Sequence, residues 1–190
     1  MRDLVETIRA GADERDVLTR YRAAVDADTA RADRPRWADG RRITAERELT
    51  APPEAVWQYW IDPALLETWW APPSMTITEC VIEPVPGGRV ILDYRDAEER
   101  YRSAGRVHTA DEPGHLAFDL SVLDAAGAVL FTGRYDLTLT GQAGGTTLLL
   151  DLTVTDTTVE AAAFITGIEI GWGQVLDNLV RLIENKEVEA

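Results

Sequence analysis

Three tyrosines and a serine, Tyr94, Tyr101, Tyr135 and Ser103, fall on one side of the strands that carry them once strand periodicity is applied. Phe118 and Phe131 share that phase, and Trp172 lies on a helical stripe turned towards them. A phenol taken out of water needs a hydrogen-bond partner, which either water or a ligand supplies. Ser103, Gly105 and Gly133 also stand where a tightly filled core would carry Leu or Val. The set reads in two ways, as a filled aromatic core or as the wall of a cavity for a small, largely apolar molecule. Trp70 joins it through "LLETWWAPP", where two adjacent indoles meet a proline pair as the chain leaves a helix. Such indoles cap a core edge, a partner groove or a ligand cavity.

The charged candidates carry less. Arg47 shares a phase with Ile43, Ala45 and Leu49, and Glu79 with Met75, Ile77 and Val81, so both charges either reach the rim or turn inward. Glu169, close to Trp172 and Leu176, is a general acid or base if buried and a capping residue otherwise. His108 and His115, with Asp111 or Glu112, have the chemistry of metal ligands, but both are expected on the solvent face of a hairpin, so no metal site is assigned. Cys80 has no histidine near it in the pattern and reads as a packing residue. No phosphate-binding glycine loop, Ser-His-Asp set or carboxylate pair is present in the pattern. No catalytic residue and no cofactor follow.

The formal net charge is −14. Up to Ala38 eight arginines balance eight acids, so the remainder carries all of it. Such a surface repels phosphate backbones and anionic headgroups, which argues against nucleic-acid and membrane partners. A single cysteine rules out an intrachain disulfide. The first residues lack an apolar run of signal-peptide length and no stretch approaches a membrane span, so a cytoplasmic protein is expected.

Several elements must position these residues. Residues 1–38 form a helical appendage, with a patch at Leu4, Val5 and Ile8 and a stripe of Val17, Leu18, Tyr21 and Val25. Pro35 and Gly40 end it. "RRITAEREL" alternates as a strand, and Asp62-Pro63 divides the following helical stretch into two short helices. Strands are expected at about 75–83, 89–95, 100–109, 115–123, 128–139 and 146–155, joined by "PVPGG", "DAEE", "ADEPG", "DAAG" and "GQAGG". Turns this short imply an antiparallel meander. In the third hairpin Thr109 pairs with Gly114, so His108 faces His115 and Val107 faces Leu116. A helix near 158–186 closes the chain, starting from Thr157 with Glu160 or from Thr166 with Glu169 at capping-box spacing. Gly167, Gly171 and Gly173 weaken its first half, either to let it bend or admit a ligand, or to fit a bulky Trp.

"RELTAPPEAVWQYWIDPALLETWWAPP", "PGGR" and "GWGQVLDNLVRLI" resemble, in that order, the bacterial family related to the activator of the heat-shock-protein-90 ATPase. The matching pieces are Arg47, Ala51-Pro52, Val56-Trp57, Asp62-Pro63, Trp69-Trp70 with Pro72, Pro86-Gly87-Gly88, Gly171-Trp172 and Leu176-Asp177. The resemblance implies an α+β helix-grip domain of the START-like, birch-pollen-allergen-like superfamily over residues 42–186. A curved seven-stranded antiparallel sheet would wrap a long C-terminal helix, with two short helices after the first strand. It also implies that one of Trp69 and Trp70 packs beneath those helices and the other faces the cavity mouth. The curl would bring the first two strands close, so that Arg47 and Glu79 pair inside and anchor a polar ligand end. Proteins of this superfamily are implied to be ligand carriers, cyclases, hydrolases or co-chaperone-like proteins, without universal catalytic residues. The function expected first is binding of a small, largely apolar molecule between sheet and helix by Trp70, Tyr94, Tyr101, Ser103, Phe118, Phe131, Tyr135, Glu169 and Trp172, with Arg47 and Glu79. A cyclase- or hydrolase-type enzyme using the same cavity, and a co-chaperone-like interaction protein, stay open beside it. A homodimer also stays open, and a chaperone partner or a stress-response role rests on the family alone.

Overall fold

In "TTLLLDLTVT" every second residue from Thr146 to Val154 is buried, the pattern of a sheet with one dry face. Leu148, Leu150, Leu152 and Val154 point inward and are buried, while Asp151 between them is exposed. The computed structural model describes residues 14–71, 75–95 and 100–188. The elements are α1 (Glu14–Arg31), β1 (Arg42–Leu49), α2 (Pro53–Ile61), α3 (Pro63–Leu66), β2 (Thr76–Ile82), β3 (Arg89–Arg95), β4 (Arg100–Asp111), β5 (His115–Leu123), β6 (Val129–Gln142), β7 (Gly145–Thr155) and α4 (Ala162–Val188). The proposed patch at Leu4, Val5 and Ile8, the Pro72-Pro73 pair and the "DAEE" turn lie outside the described residues. So do the side chains of Val17, Leu18 and Tyr21; Val25 is half-buried.

The seven strands form one antiparallel sheet in the order β1-β7-β6-β5-β4-β3-β2. β2 to β7 are a meander, and β1 joins its far edge by pairing with β7. The chain therefore has to travel from one sheet edge to the other between β1 and β2, and α2 with α3 makes that crossing. Pro53 opens α2, and Asp62 ends it while its side chain accepts the Ala64 N–H at 2.9 Å to start α3. Pro63 forbids a continuous helix there. The inner face of α2 buries Val56, Trp57, Tyr59 and Trp60, and α4 covers the sheet with Ile165, Trp172, Leu176, Leu179 and Ile183. No helix among the described residues is long and apolar enough to cross a membrane.

Two local expectations are corrected. The third hairpin turns at Glu112, Pro113 and Gly114, so Asp111 opposes His115 and Ala110 opposes Leu116. A bulge at His108 shifts the pairing by one residue, leaving Val107 opposite Phe118 instead of Leu116. His108 thus meets Asp119 at 2.9 Å and His115 meets Asp136 at 3.1 Å, and the two rings do not face each other. The long helix begins at Ala162 and uses neither capping box. Thr157 is engaged elsewhere: its hydroxyl donates to Asp39 Oδ1 at 2.9 Å and accepts from the Ala38 N–H at 3.2 Å.

That engagement is part of a seam fastening the N-terminal segment to the domain. The Arg36 N–H donates to the Thr157 carbonyl, and the Trp37 indole N–H to the Thr158 carbonyl at 2.9 Å. At its centre Asp28 is only 5% exposed. Arg41 grips both its oxygens at 3.0 Å, and Thr166 donates to Oδ2 at 3.3 Å. Arg41 also donates to the Ile165 carbonyl at 3.2 Å, so α1, α4 and the residue that leads into β1 share one charge pair. Breaking a buried pair from one side leaves a charge without compensation, whereas removing both partners does not. Asp28→Ala is therefore expected to lower unfolding free energy by about 3 kcal/mol. Adding Arg41→Met should recover much of that loss in urea titrations, and additive single effects would contradict the coupling.

Candidate functional site

Three surfaces meet over the middle of the sheet and leave a cavity of about 310 Å³ between them. The sheet supplies Tyr94 from β3, Tyr101 and Ser103 from β4, Leu120 and Val122 from β5, and Phe131 and Tyr135 from β6. All follow from the period-two alternation that puts every second residue on the concave face. The helix α4 supplies Phe164, Gly167, Ile168, Gly171, Trp172 and Val175, spaced three or four apart along one side. Trp70, Ala71 and Met75 close the remaining side.

The two indoles of the opening motif separate. Trp69 is buried, donates to the Tyr59 carbonyl at 2.9 Å and packs edge-on against Trp60 at 4.8 Å. Trp70 lines the cavity and meets Trp172 at 4.8 Å and 90°. The rings fall into two groups. Trp70, Trp172, Tyr135 and Phe118 contact one another, with Phe118 stacked on Tyr135 at 4.8 Å. Tyr94 stacks on Tyr101 at 5.4 Å, Tyr101 meets Phe164 at 5.9 Å, and Phe164 meets Phe131 at 6.1 Å. Burial pushes the ionisation of Tyr94 and Tyr135 upward, so both are neutral hydroxyl groups at physiological pH. None of the described residues on the wall carries a charge.

Of the residues expected at the site, Trp70, Tyr94, Tyr101, Ser103, Phe131, Tyr135 and Trp172 are brought together on the wall. Phe118 is not on it but supports Tyr135. Glu169 is half-buried on α4 away from the wall. The expected inward pair of Arg47 and Glu79 does not form, because β1 and β2 are opposite edges of the sheet. Arg47 instead pairs with Asp177 of α4 at 2.8 Å and donates to the Gly173 carbonyl at 3.2 Å. With Asp177 47% exposed, that pair sits at a rim where such contacts contribute less than about 1 kcal/mol. Glu79 is exposed beside the irregularity in β2.

The glycines sort differently from expectation too. A Cβ on Gly105 would meet the Asp119 carbonyl oxygen at 1.9 Å, and one on Gly133 would meet the Tyr135 ring at 2.8 Å. Both are small because neighbours already occupy the space. A Cβ on Gly171 would meet nothing within 4 Å, although Gly171 is on the cavity wall. Close contact with a bulky Trp therefore does not explain it. The sequence reading missed Phe164 and Val175, yet the series Phe164, Ile168, Gly171, Trp172, Val175 carries the helical spacing that would have found them.

The family described as activator of Hsp90 ATPase homolog 1-like protein matches residues 50–184, and the chain belongs to it. Among curated proteins none matches. The chain is similar to a crystal structure of a Rhodobacter sphaeroides protein at 26% identity and TM-score 0.63, over 76% of this chain and 93% of that one. It is similar to a Mycobacterium smegmatis protein at 26% identity and TM-score 0.62, over 75% and 90% of the two chains. An Arthrobacter aurescens protein solved by NMR shares the fold at 22% identity and TM-score 0.62, over 76% and 86%. The match establishes the helix-grip arrangement and leaves α1 outside the family's span.

Cys80 completes the inventory. Burial first, and then Glu67 and Asp62, push its thiol up to about 12. At pH 8 roughly one such thiol in ten thousand is a thiolate, the nucleophilic form. Ellman's reagent should therefore label the folded protein far more slowly than the urea-unfolded chain. Equal rates would contradict the burial.

Proposed function

We propose that this protein binds a small, largely apolar molecule in the cavity between the sheet and α4. The observation that carries the reading is Gly171, a residue on the wall whose missing side chain would meet only empty space. Ala there would strengthen the helix by roughly 1 kcal/mol, so the sequence forgoes stability at the position where volume would be lost.

The other readings draw less support. A cyclase or hydrolase needs an acid–base group facing the substrate, and Glu169 is off the wall. An interaction protein needs an exposed apolar face, and the large apolar side chains exposed among the described residues are Val85, Val129 and Val159. These amount to less than the several hundred Å² typical of such a face. A chaperone partner rests on family membership alone.

The test is titration with phenyl-α-naphthylamine, a neutral apolar fluorophore, read by energy transfer from tryptophan. Micromolar binding is expected. Gly171→Leu should weaken it at least tenfold while leaving a cooperative melt. Gly173→Ala, whose new methyl also meets nothing within 4 Å but lies off the wall, should keep the affinity and add roughly 1 kcal/mol of stability. Unchanged binding in a folded Gly171→Leu protein would refute the site. Gly105→Leu is unsuitable for this purpose, since its clash with Asp119 would disturb β4 itself.

A further inference from the structure

We infer that the ligand is an uncharged, largely apolar molecule bearing a hydroxyl or carbonyl oxygen at one end, and that Ser103 is the residue that recognises that oxygen. The inference rests on the binding function proposed above and specifies its chemistry.

The first observation is an unsatisfied hydroxyl. Ser103 is 1% exposed, and its Oγ makes no hydrogen bond of good geometry; the neighbouring Tyr94 phenol interacts with it without meeting that geometry. Three other buried polar atoms share that condition, Trp57 Nε1, Trp60 Nε1 and Thr158 Oγ1, but Ser103 alone among these four residues is on the cavity wall. Leaving such a group unsatisfied carries a penalty of about 1–3 kcal/mol, which Ala or Val at this position would avoid. Nor does the surrounding structure leave Ser103 loose. Its backbone N–H donates to Asp93 Oδ1 at 3.1 Å, and Asp93 is itself buried beneath Arg100 at 3.3 Å and Arg102 at 3.7 Å. An anchored strand thus holds the hydroxyl in a fixed position.

The second observation is the division of the aromatic wall. Tyr94 and Tyr101, the stacked pair, belong to the same part of β3 and β4 as Ser103. The Tyr94 phenol is close enough to Ser103 to be influenced by it, yet no hydrogen bond of good geometry satisfies the serine. These groups make one polar end. The other group, Trp70, Trp172 and Tyr135 with Val175, is mostly ring surface, and its hydroxyl, that of Tyr135, is already engaged with Trp172. A ligand that spans both would place its apolar part against the indoles and its oxygen at the serine.

The third observation fixes the charge. With no described wall residue ionised, a carboxylate or phosphate brought inside would lose its hydration without gaining a counter-charge. Uncharged hydroxyl or carbonyl oxygens face no such penalty, and Ser Oγ both donates and accepts, so either is recognised. The shortage of charge inside contrasts with the net −14 outside, which further disfavours anionic ligands approaching the mouth.

The experiment compares naphthalene, β-naphthol and β-naphthoate by calorimetry on the full chain at pH 7. β-Naphthol should bind the wild type roughly tenfold tighter than naphthalene, the effect of one well-placed hydrogen bond in a dry site. β-Naphthoate should be the weakest of the three by at least tenfold. In Ser103→Ala the advantage of β-naphthol over naphthalene should vanish, with naphthalene bound at least as tightly as by the wild type, and Ser103→Cys, a weaker donor, should give an intermediate gap. Neither variant removes a bond the fold uses, and Ser103→Ala should melt at or above the wild-type temperature. If naphthalene and β-naphthol bind equally to the wild type, if the gap survives Ser103→Ala, or if β-naphthoate binds as tightly as β-naphthol, this inference fails while apolar binding stands. If phenyl-α-naphthylamine and all three probes fail to bind, the binding function itself falls and takes the inference with it.

Discussion

One helix has to cover one face of seven strands. A flat sheet of that many strands is about 29 Å across, whereas a helix with its side chains is about 10–12 Å wide. Curvature reduces the mismatch without removing it. The plug of α2 and α3 fills one part with Trp57, Trp60 and Trp69, all fully buried. What neither plug nor helix reaches is the space bounded by Trp70, Tyr135, Phe131 and Tyr101. The cavity is thus a geometric consequence of the fold, and side-chain choice decides whether it stays open. Leu at position 171 would fill it from the helix side, and the sequence has Gly there instead.

Because α4 roofs this space, what positions α4 also shapes the cavity. The helix is held on its outer side at two levels. Arg47 of β1 reaches the Gly173 carbonyl and Asp177, and Arg41 reaches the Ile165 carbonyl while it grips Asp28. Thr166, which also contacts Asp28, immediately precedes Gly167 on the cavity wall. The polar attachments therefore lie on the back of the same turns whose front faces the void. That division lets the roof be fixed by hydrogen bonds without placing a charge inside, and it explains why Arg47 is better used at the rim than in an internal pair.

Much of this was legible in the residues because it is local. The alternation in β7, the Asp62-Pro63 break and the glycine turns each act within a few residues, and the order of β2 to β7 follows once the turns are short, whereas the place of β1 beside β7 does not. Inward phase was legible for Tyr94, Tyr101, Ser103, Phe131 and Tyr135 for the same reason. The failures share a different cause. The bulge at His108 inserts one residue without disturbing the alternation before it, so nothing upstream announces it. Thr157 carries a capping signal that a partner some 118 residues away overrides. Gly105 and Gly133 look like vacancies in one dimension, yet a neighbouring strand's carbonyl and a ring two residues on already fill them. Asp177 as the partner of Arg47 needed the helix direction, which spacing alone does not give.

The distribution of charge separates the functions that this fold could serve. Catalysis on a buried substrate places a titratable group where burial can shift its pKa towards the working pH. Here the shifted groups near the void are Tyr94 and Tyr135, both driven away from neutrality of pH and towards permanent protonation. Cys80, a half-buried thiol, is driven the same way by burial and two carboxylates. Every perturbation in or near the core thus makes a potentially reactive group less reactive. What persists is a set of neutral hydrogen-bonding groups on an aromatic wall, among them Ser103, whose Oγ makes no hydrogen bond of good geometry. Such a wall discriminates between ligands by shape and by one or two uncharged polar contacts.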